Sequence, residues 1–151
     1  AVDIPVLAAG GIATGRQMLA SMVLGAEGVQ VGSRFVASNE ASSHENFKNL
    51  VINSGEGDTH LSLKQLTPVR LLKNDFFNLV QQAENKGAST DELKKLLGRG
   101  RAKLGMFEGN LAEGELEIGQ VSAIIKTIKP AAEIVQEMYK EYEAALKQPV
   151  K

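Results

Sequence analysis

Two short glycine turns carry the strongest chemical signal in the sequence. They are Ala8-Ala9-Gly10-Gly11-Ile12 and Gly28-Val29-Gln30-Val31-Gly32-Ser33-Arg34-Phe35. A phosphate group needs several N–H donors at close range, and glycine lets the backbone approach without an intervening Cβ. A helix N-terminus adds free N–H groups and a partial positive charge. Gly10, Gly11, Gly32 and Ser33 can supply such donors, with the Ser33 hydroxyl adding one more. Each turn alone also reads as an ordinary tight connection between a strand and a helix. Two of them, each closing an apolar run, form a stronger pattern, because (β/α)-barrels commonly build a phosphate site from the loops after their last two strands.

The segments around these turns have the periods of strand, helix and strand. Residues 4–9 form a short apolar run that reads as a strand buried on both faces, as in parallel sheets. Thr14 can cap a helix reaching about residue 24, with Met18, Leu19, Met22 and Val23 on one face and Gly25 as its stop. Residues 28–31 read as a second strand. The whole makes a βαβ unit of about 30 residues. Parallel strands joined this way need further strands beside them to close a sheet.

Beyond Phe35 the pattern turns mainly helical. Residues 44–53 read as a helix with Phe47, Leu50 and Val51 inward, and residues 54–57 as a turn. Within 59–73, interrupted by Pro68, the best strand candidate is 69–72. Residues 75–86 read as a helix, and Ser89 with Glu92 as a capping box opening another, with Leu93, Leu96 and Leu97 inward. Residues 101–107 read as a short helix or turn, and 110–119 as a loop. Val121, Ile124, Ile125 and Ile128 mark one more helix. Pro130 fits the first turn of a terminal helix, whose apolar face is Ile134, Val135, Met138, Tyr139, Tyr142 and Leu146. Core packing is the first expectation for that face and an oligomer interface the second.

Composition sets the outer bounds. The chain has 151 residues, 43% of them hydrophobic and 23% charged, a globular balance large enough for a core. Its net charge of −1 gives no basic field for nucleic acid and no electrostatic pull toward a membrane. It has no cysteine, which removes disulfides and thiolate chemistry and fits a cytoplasmic setting. No apolar run approaches the roughly 20 residues of a membrane span. The first residues, Ala-Val-Asp-Ile-Pro, lead straight into a strand, an opening that reads as a cut inside a longer protein.

Other chemically capable residues have simpler readings. His44 opens a helix and reads as a capping or surface residue. His60 beside Asp58 makes neither a metal site nor a triad. Arg70 and Lys73 are long enough to reach a phosphate, but on a strand edge they read first as solvated groups or edge guards. Glu113, Glu115 and Glu117 alternate and read as a solvated loop face. Arg99, Arg101 and Lys103 lack the interleaved aromatics of a nucleic-acid surface.

The run Ile4-Pro-Val-Leu-Ala-Ala-Gly-Gly-Ile-Ala-Thr-Gly15, followed by Leu24-Gly-Ala-Glu-Gly-Val-Gln-Val-Gly-Ser-Arg-Phe35, closely resembles the final two βα units of the nitronate monooxygenase family, also called 2-nitropropane dioxygenases. Flavin-dependent bacterial enoyl-acyl-carrier-protein reductases share this pattern. Pro68-Val-Arg-Leu-Leu-Lys-Asn74, Gly114-Glu-Leu-Glu-Ile-Gly-Gln120 and Pro130-Ala-Ala-Glu-Ile-Val135 also look like the C-terminal portion of the family. The resemblance implies an α/β fold: the last two βα units of a TIM (β/α)8 barrel over 1–38, a mainly helical insertion with a short β segment over 39–120, and C-terminal helices packing back on the barrel over 121–151.

For the site, it implies FMN as cofactor, its phosphate bound through the amides of Gly10, Gly11, Gly32 and Ser33. The family often has Thr at the position of Ser33, and the hydroxyl is retained. Gln120 lies in a step resembling a family segment near the flavin, and a helix-start role suits it equally. The histidine and ring-binding strands that the family places earlier in its barrel lie outside this sequence, so no catalytic residue is assigned. The implied activity of the parent enzyme is oxidation of alkyl nitronates by dioxygen. An enoyl-thioester reductase is the alternative, and an inert, self-associating fragment the third reading. The implied partners are the nitronate, the N-terminal portion of the barrel and possible further copies of the chain.

Overall fold

A computed structural model describes residues 2–148. The first unit is built as its pattern predicts: β1 (Leu7–Ala9), α1 (Gly15–Val23) and β2 (Gly28–Gln30), with β1 and β2 parallel and Ala8 opposite Val29. The Thr14 side chain accepts from the Gln17 N–H, and the Gln17 side chain reaches back to the cap, forming a complete capping box. The capping glutamine sits where the sequence shows only a polar residue. Gly25, at φ +102°, ends the helix in a conformation that residues with a Cβ seldom adopt. The expected burial of the first strand does not hold. Ile4 is 68% and Leu7 60% exposed, because among the described residues β1 pairs only with β2.

A single turn, α2 (Ser33–Val36), follows β2 directly, and α3 (Glu45–Asn53) comes next, with His44 as its N-cap. The His44 Nδ1 accepts from the Asn46 N–H at 3.1 Å, which gives this histidine a capping role. An antiparallel pair then forms from β3 (Thr59–Ser62) and β4 (Val69–Leu72). The following loop returns to lengthen it: Leu72 N–H donates to the Leu116 carbonyl at 2.9 Å and Ile118 N–H to the Arg70 carbonyl at 3.1 Å. β4 is therefore flanked on both sides, and Arg70 donates across to the Thr59 carbonyl instead of guarding an edge.

Two helices complete this region, α4 (Asp75–Asn85) and α5 (Thr90–Leu97), the second opened by the Ser89–Glu92 capping box. Residues Lys103–Phe107 form one π-helical turn, and Gln120–Ile124 one 3-10 turn. The helix expected through Ile128 stops short: Ile125 is extended, and Ser38 forms a parallel bridge with Lys129. The final helix, α6 (Ala131–Leu146), lies against α1. It buries Ile134 and Met138 over Ile12, while Val135, Tyr139 and Leu146 stay exposed. Burial of each such side chain is worth about 1.5–3 kcal/mol.

The core has three parts. Phe47, Val51, Leu116 and Ile125 join α3 to the returning loop. Phe76, Phe77, Val80 and Leu93 lie under β4. Ile12, Ile134 and Met138 fix α6 behind the glycine turns. No described helix is long and apolar enough to cross a membrane.

Candidate functional site

The C-terminal ends of β1 and β2 open into one cavity of about 340 Å³, and Gly10, Gly11, Gly32 and Ser33 all line it. The first turn needs glycine for its backbone: φ is +86° at Gly10 and +72° at Gly11. Gly32 has an ordinary φ of −101°, so its backbone does not require glycine. A Cβ built at Gly10, Gly11 or Gly32 meets no other atom within 4 Å. It would point into the open space of the cavity. None of the four residues donates its N–H in a turn, loop or side-chain hydrogen bond among the described residues.

The Ser33 hydroxyl is held from the far end of the chain. Gly119 N–H donates to Ser33 Oγ at 3.1 Å, and Gly119 and Val121 complete the cavity wall. Because its oxygen accepts this bond, the Ser33 O–H proton remains free to donate. Gln120 is not among the residues that line the cavity. Its side chain is exposed and it begins the 3-10 turn, so the contact expected of it belongs to the backbone of its neighbour Gly119. A backbone donor leaves no mark in side-chain identity; the only trace in the sequence is the glycine itself.

Charge is kept away from the cavity. The N-terminus of α1 is largely occupied from within the chain: Ala13 and Thr14 N–H donate to the Gln17 side chain at 2.9 and 3.1 Å, Gly15 N–H to Glu141 at 2.7 Å and Gln17 N–H to the Thr14 hydroxyl at 3.2 Å. Arg34, next to Ser33, is buried and turned away, donating to the Thr127 carbonyl at 3.1 Å and lying 4.0 Å from Glu137. Burial lowers its pKa below the ordinary arginine value, with Glu137 and Glu141 opposing. An anion in the cavity would therefore meet neutral amide and hydroxyl dipoles.

A second, mainly apolar groove of about 490 Å³ shares Val31 and Gly32 with the cavity and runs between Phe35, Phe47, Met106 and Phe107, with Glu117 among its lining. The nearby acidic run is only in part the solvated face expected from its alternation: Glu113 is exposed, Glu117 half-buried and Glu115 buried. Glu115 is 8% exposed, and burial pushes its carboxyl up to about 7, aided by Glu117 and opposed by Arg101. Arg101 itself is structural: it donates to the Leu97 and Glu113 carbonyls at 3.0 and 2.8 Å and stacks over Phe76. His60 lies edge-on to Phe77, away from the cavity. Among the described residues no group of three His, Cys, Asp or Glu side chains could hold a metal ion.

Fold and site together define an α/β protein in which two parallel strands end on an amide-lined cavity. The chain belongs to the nitronate monooxygenase family, whose model matches residues 1–141. A probable nitronate monooxygenase from Staphylococcus saprophyticus is 40% identical over 87 residues, 56% of this chain and 24% of the relative. One from Staphylococcus aureus is 55% identical over 58 residues, 38% of this chain and 16% of the relative. Among solved structures, FabK from Thermotoga maritima superposes with a TM-score of 0.89 at 36% identity, over 97% of this chain and 46% of FabK. Nitroalkane oxidase from Streptomyces ansochromogenes superposes with a TM-score of 0.72 at 29% identity, over 96% of this chain and 41% of that protein. The chain thus spans less than half the length of these structures, and its matches span a quarter or less of the curated relatives.

Proposed function

We propose that this chain anchors the phosphate of FMN in an oxidoreductase that oxidises alkyl nitronates with dioxygen. The observation that carries this reading is the cavity at the ends of β1 and β2, where four residues offer free N–H groups and three glycines leave room for a phosphate. Bound there, FMN would supply electron transfer between nitronate and dioxygen. The N–H groups of Gly10, Gly11, Gly32 and Ser33 would hold its phosphate, and the Ser33 hydroxyl, oriented by Gly119, would donate a further bond. The chain's role is binding and orientation. The exposed apolar run at Ile4 and Leu7 supports a further proposal, that other strands of a (β/α)-barrel cover β1 and β2 and bring the residues that act on the substrate.

The protein produced from the complete gene should carry an FMN spectrum and consume oxygen with an alkyl nitronate. A flavin-free preparation that does not take up FMN would overturn the assignment. A second reading keeps the flavin and replaces the reaction by reduction of an enoyl thioester with NAD(P)H. The better superposition on FabK than on nitroalkane oxidase, 0.89 against 0.72, favours it. The phosphate cavity serves both reactions alike. NAD(P)H consumption with crotonyl thioester, set beside oxygen uptake with nitronate, decides between them.

A further inference from the structure

Behind the cavity, α6 touches both glycine turns. Gly15 begins α1 and follows the Gly10-Gly11 turn closely in sequence. Its N–H donates to the Glu141 carboxylate at 2.7 Å. The helices are so close there that a Cβ on Gly15 would run into the Met138 carbonyl oxygen. One helical turn before Glu141, on the same face of α6, Glu137 lies 4.0 Å from Arg34 and also pairs with Lys129. Arg34 follows Ser33 directly, is 7% exposed, and is further fixed by its bond to the Thr127 carbonyl. The start of α6 is held as well, since Ala131 N–H donates to Glu40 at 2.8 Å.

Pairing of Ala9 with Gln30 and the bond from Gly119 to Ser33 hold the turns from the strand side, and α6 holds them from behind. The two strands that carry them are three residues each. A phosphate bound by amides from both turns requires those donors to be placed within about 0.5 Å. We propose that Glu137 and Glu141 act as a two-point clamp by which α6 fixes the separation of the two glycine turns. Glu141 acts through Gly15 on the first turn, and Glu137 through Arg34 on the second. These four are positioning residues, and none of them touches the ligand. The proposal rests on the phosphate reading of the cavity.

The test compares FMN with riboflavin, which has the same ring and no phosphate, on the protein from the complete gene. The ratio of their dissociation constants isolates the phosphate contribution from general effects on the fold. Glu141→Leu should reduce the preference for FMN about tenfold. Glu141→Gln should restore it, because an amide oxygen can still accept from the Gly15 N–H. Glu137→Ala, at a side chain 43% exposed, should reduce the preference in the same direction and serves as the test should Glu141→Leu fail to fold. Variants that melt earlier with an unchanged ratio would show that α6 is only structural and overturn the clamp alone. A wild-type protein that does not distinguish FMN from riboflavin would overturn the phosphate reading, and the clamp with it.

Discussion

Replacing Gly32 with alanine should separate folding from ligand binding. The backbone there, φ −101° and ψ −70°, is open to alanine, and the added methyl meets no atom within 4 Å. Two small effects on stability oppose each other. Alanine caps a helix less well than glycine, while its stiffer unfolded chain contributes about 0.4–1 kcal/mol in favour of folding. The net change should stay within about 1 kcal/mol, a shift of no more than roughly 2–4 °C in Tm. Binding should respond quite differently. The methyl would occupy the space between the Gly32 and Ser33 amides and hold a phosphate out of reach. Two charge-assisted hydrogen bonds, at about 1.5–3 kcal/mol each, would be lost, weakening FMN by about 10² to 10⁴-fold. Melting curves and flavin-fluorescence titrations on the protein from the complete gene measure both quantities, with riboflavin as the phosphate-free control. An alanine variant with wild-type FMN affinity would refute the reasoning, since the glycine would then have no reason connected with a ligand.

Gly11→Ala should behave differently, because φ +72° is unfavourable for alanine by about 1–2 kcal/mol, so Tm and FMN affinity should fall together in the same two assays. Ser33→Ala removes the acceptor for Gly119 N–H and should weaken FMN about tenfold in titration, whereas Ser33→Thr should bind as wild type. Ile134→Ala, at a fully buried site between α6 and α1, should cost about 2–5 kcal/mol in denaturant unfolding. Glu115 should make stability depend on pH. Its carboxyl is raised in the folded state from 4.5 to about 7, so its favourable contribution is complete below about 4.5 and is lost as pH rises through about 7. At 1.36 kcal/mol per pKa unit the ceiling is about 3 kcal/mol, and partial solvent screening brings it lower. Denaturant unfolding of Glu115→Gln between pH 4.5 and 8 should show a flatter profile than wild type.

Local chemistry was legible in the sequence, and contacts that depend on distant segments were not. Thr14 and Ser89 announce their helices because a capping side chain acts within three residues. The βαβ unit follows from the apolar periods on either side of Gly10 and Gly32, and the same residues placed the cavity. The burial of Glu115 is not legible because alternation along a loop says nothing of what packs above it; pairing of that loop with β4 draws the carboxylate inward. Ile128 shares a helical period with Val121 and Ile125, yet pairing of Lys129 with Ser38 keeps the backbone extended there. Gln120 stands out as a side chain, while the bond to the second glycine turn comes from the amide of its neighbour Gly119. Leu7 looks like an interior strand residue and is exposed, since its apolar character answers to neighbours other than β2.

The self-capped N-terminus of α1 and the inward-turned Arg34 also bear on how an anion would arrive. With no Lys or Arg among the described residues that line the cavity, the attraction contributed by this part of the site would come from oriented amide dipoles, whose fields fade faster with distance than those of ions. Few counterions would be displaced from this part of the site on binding, so its contribution to affinity should change little with ionic strength. Abundant free anions would not be gathered from afar by such a surface. Residence there would be decided at contact, by whether three phosphate oxygens match the fixed directions of the amides.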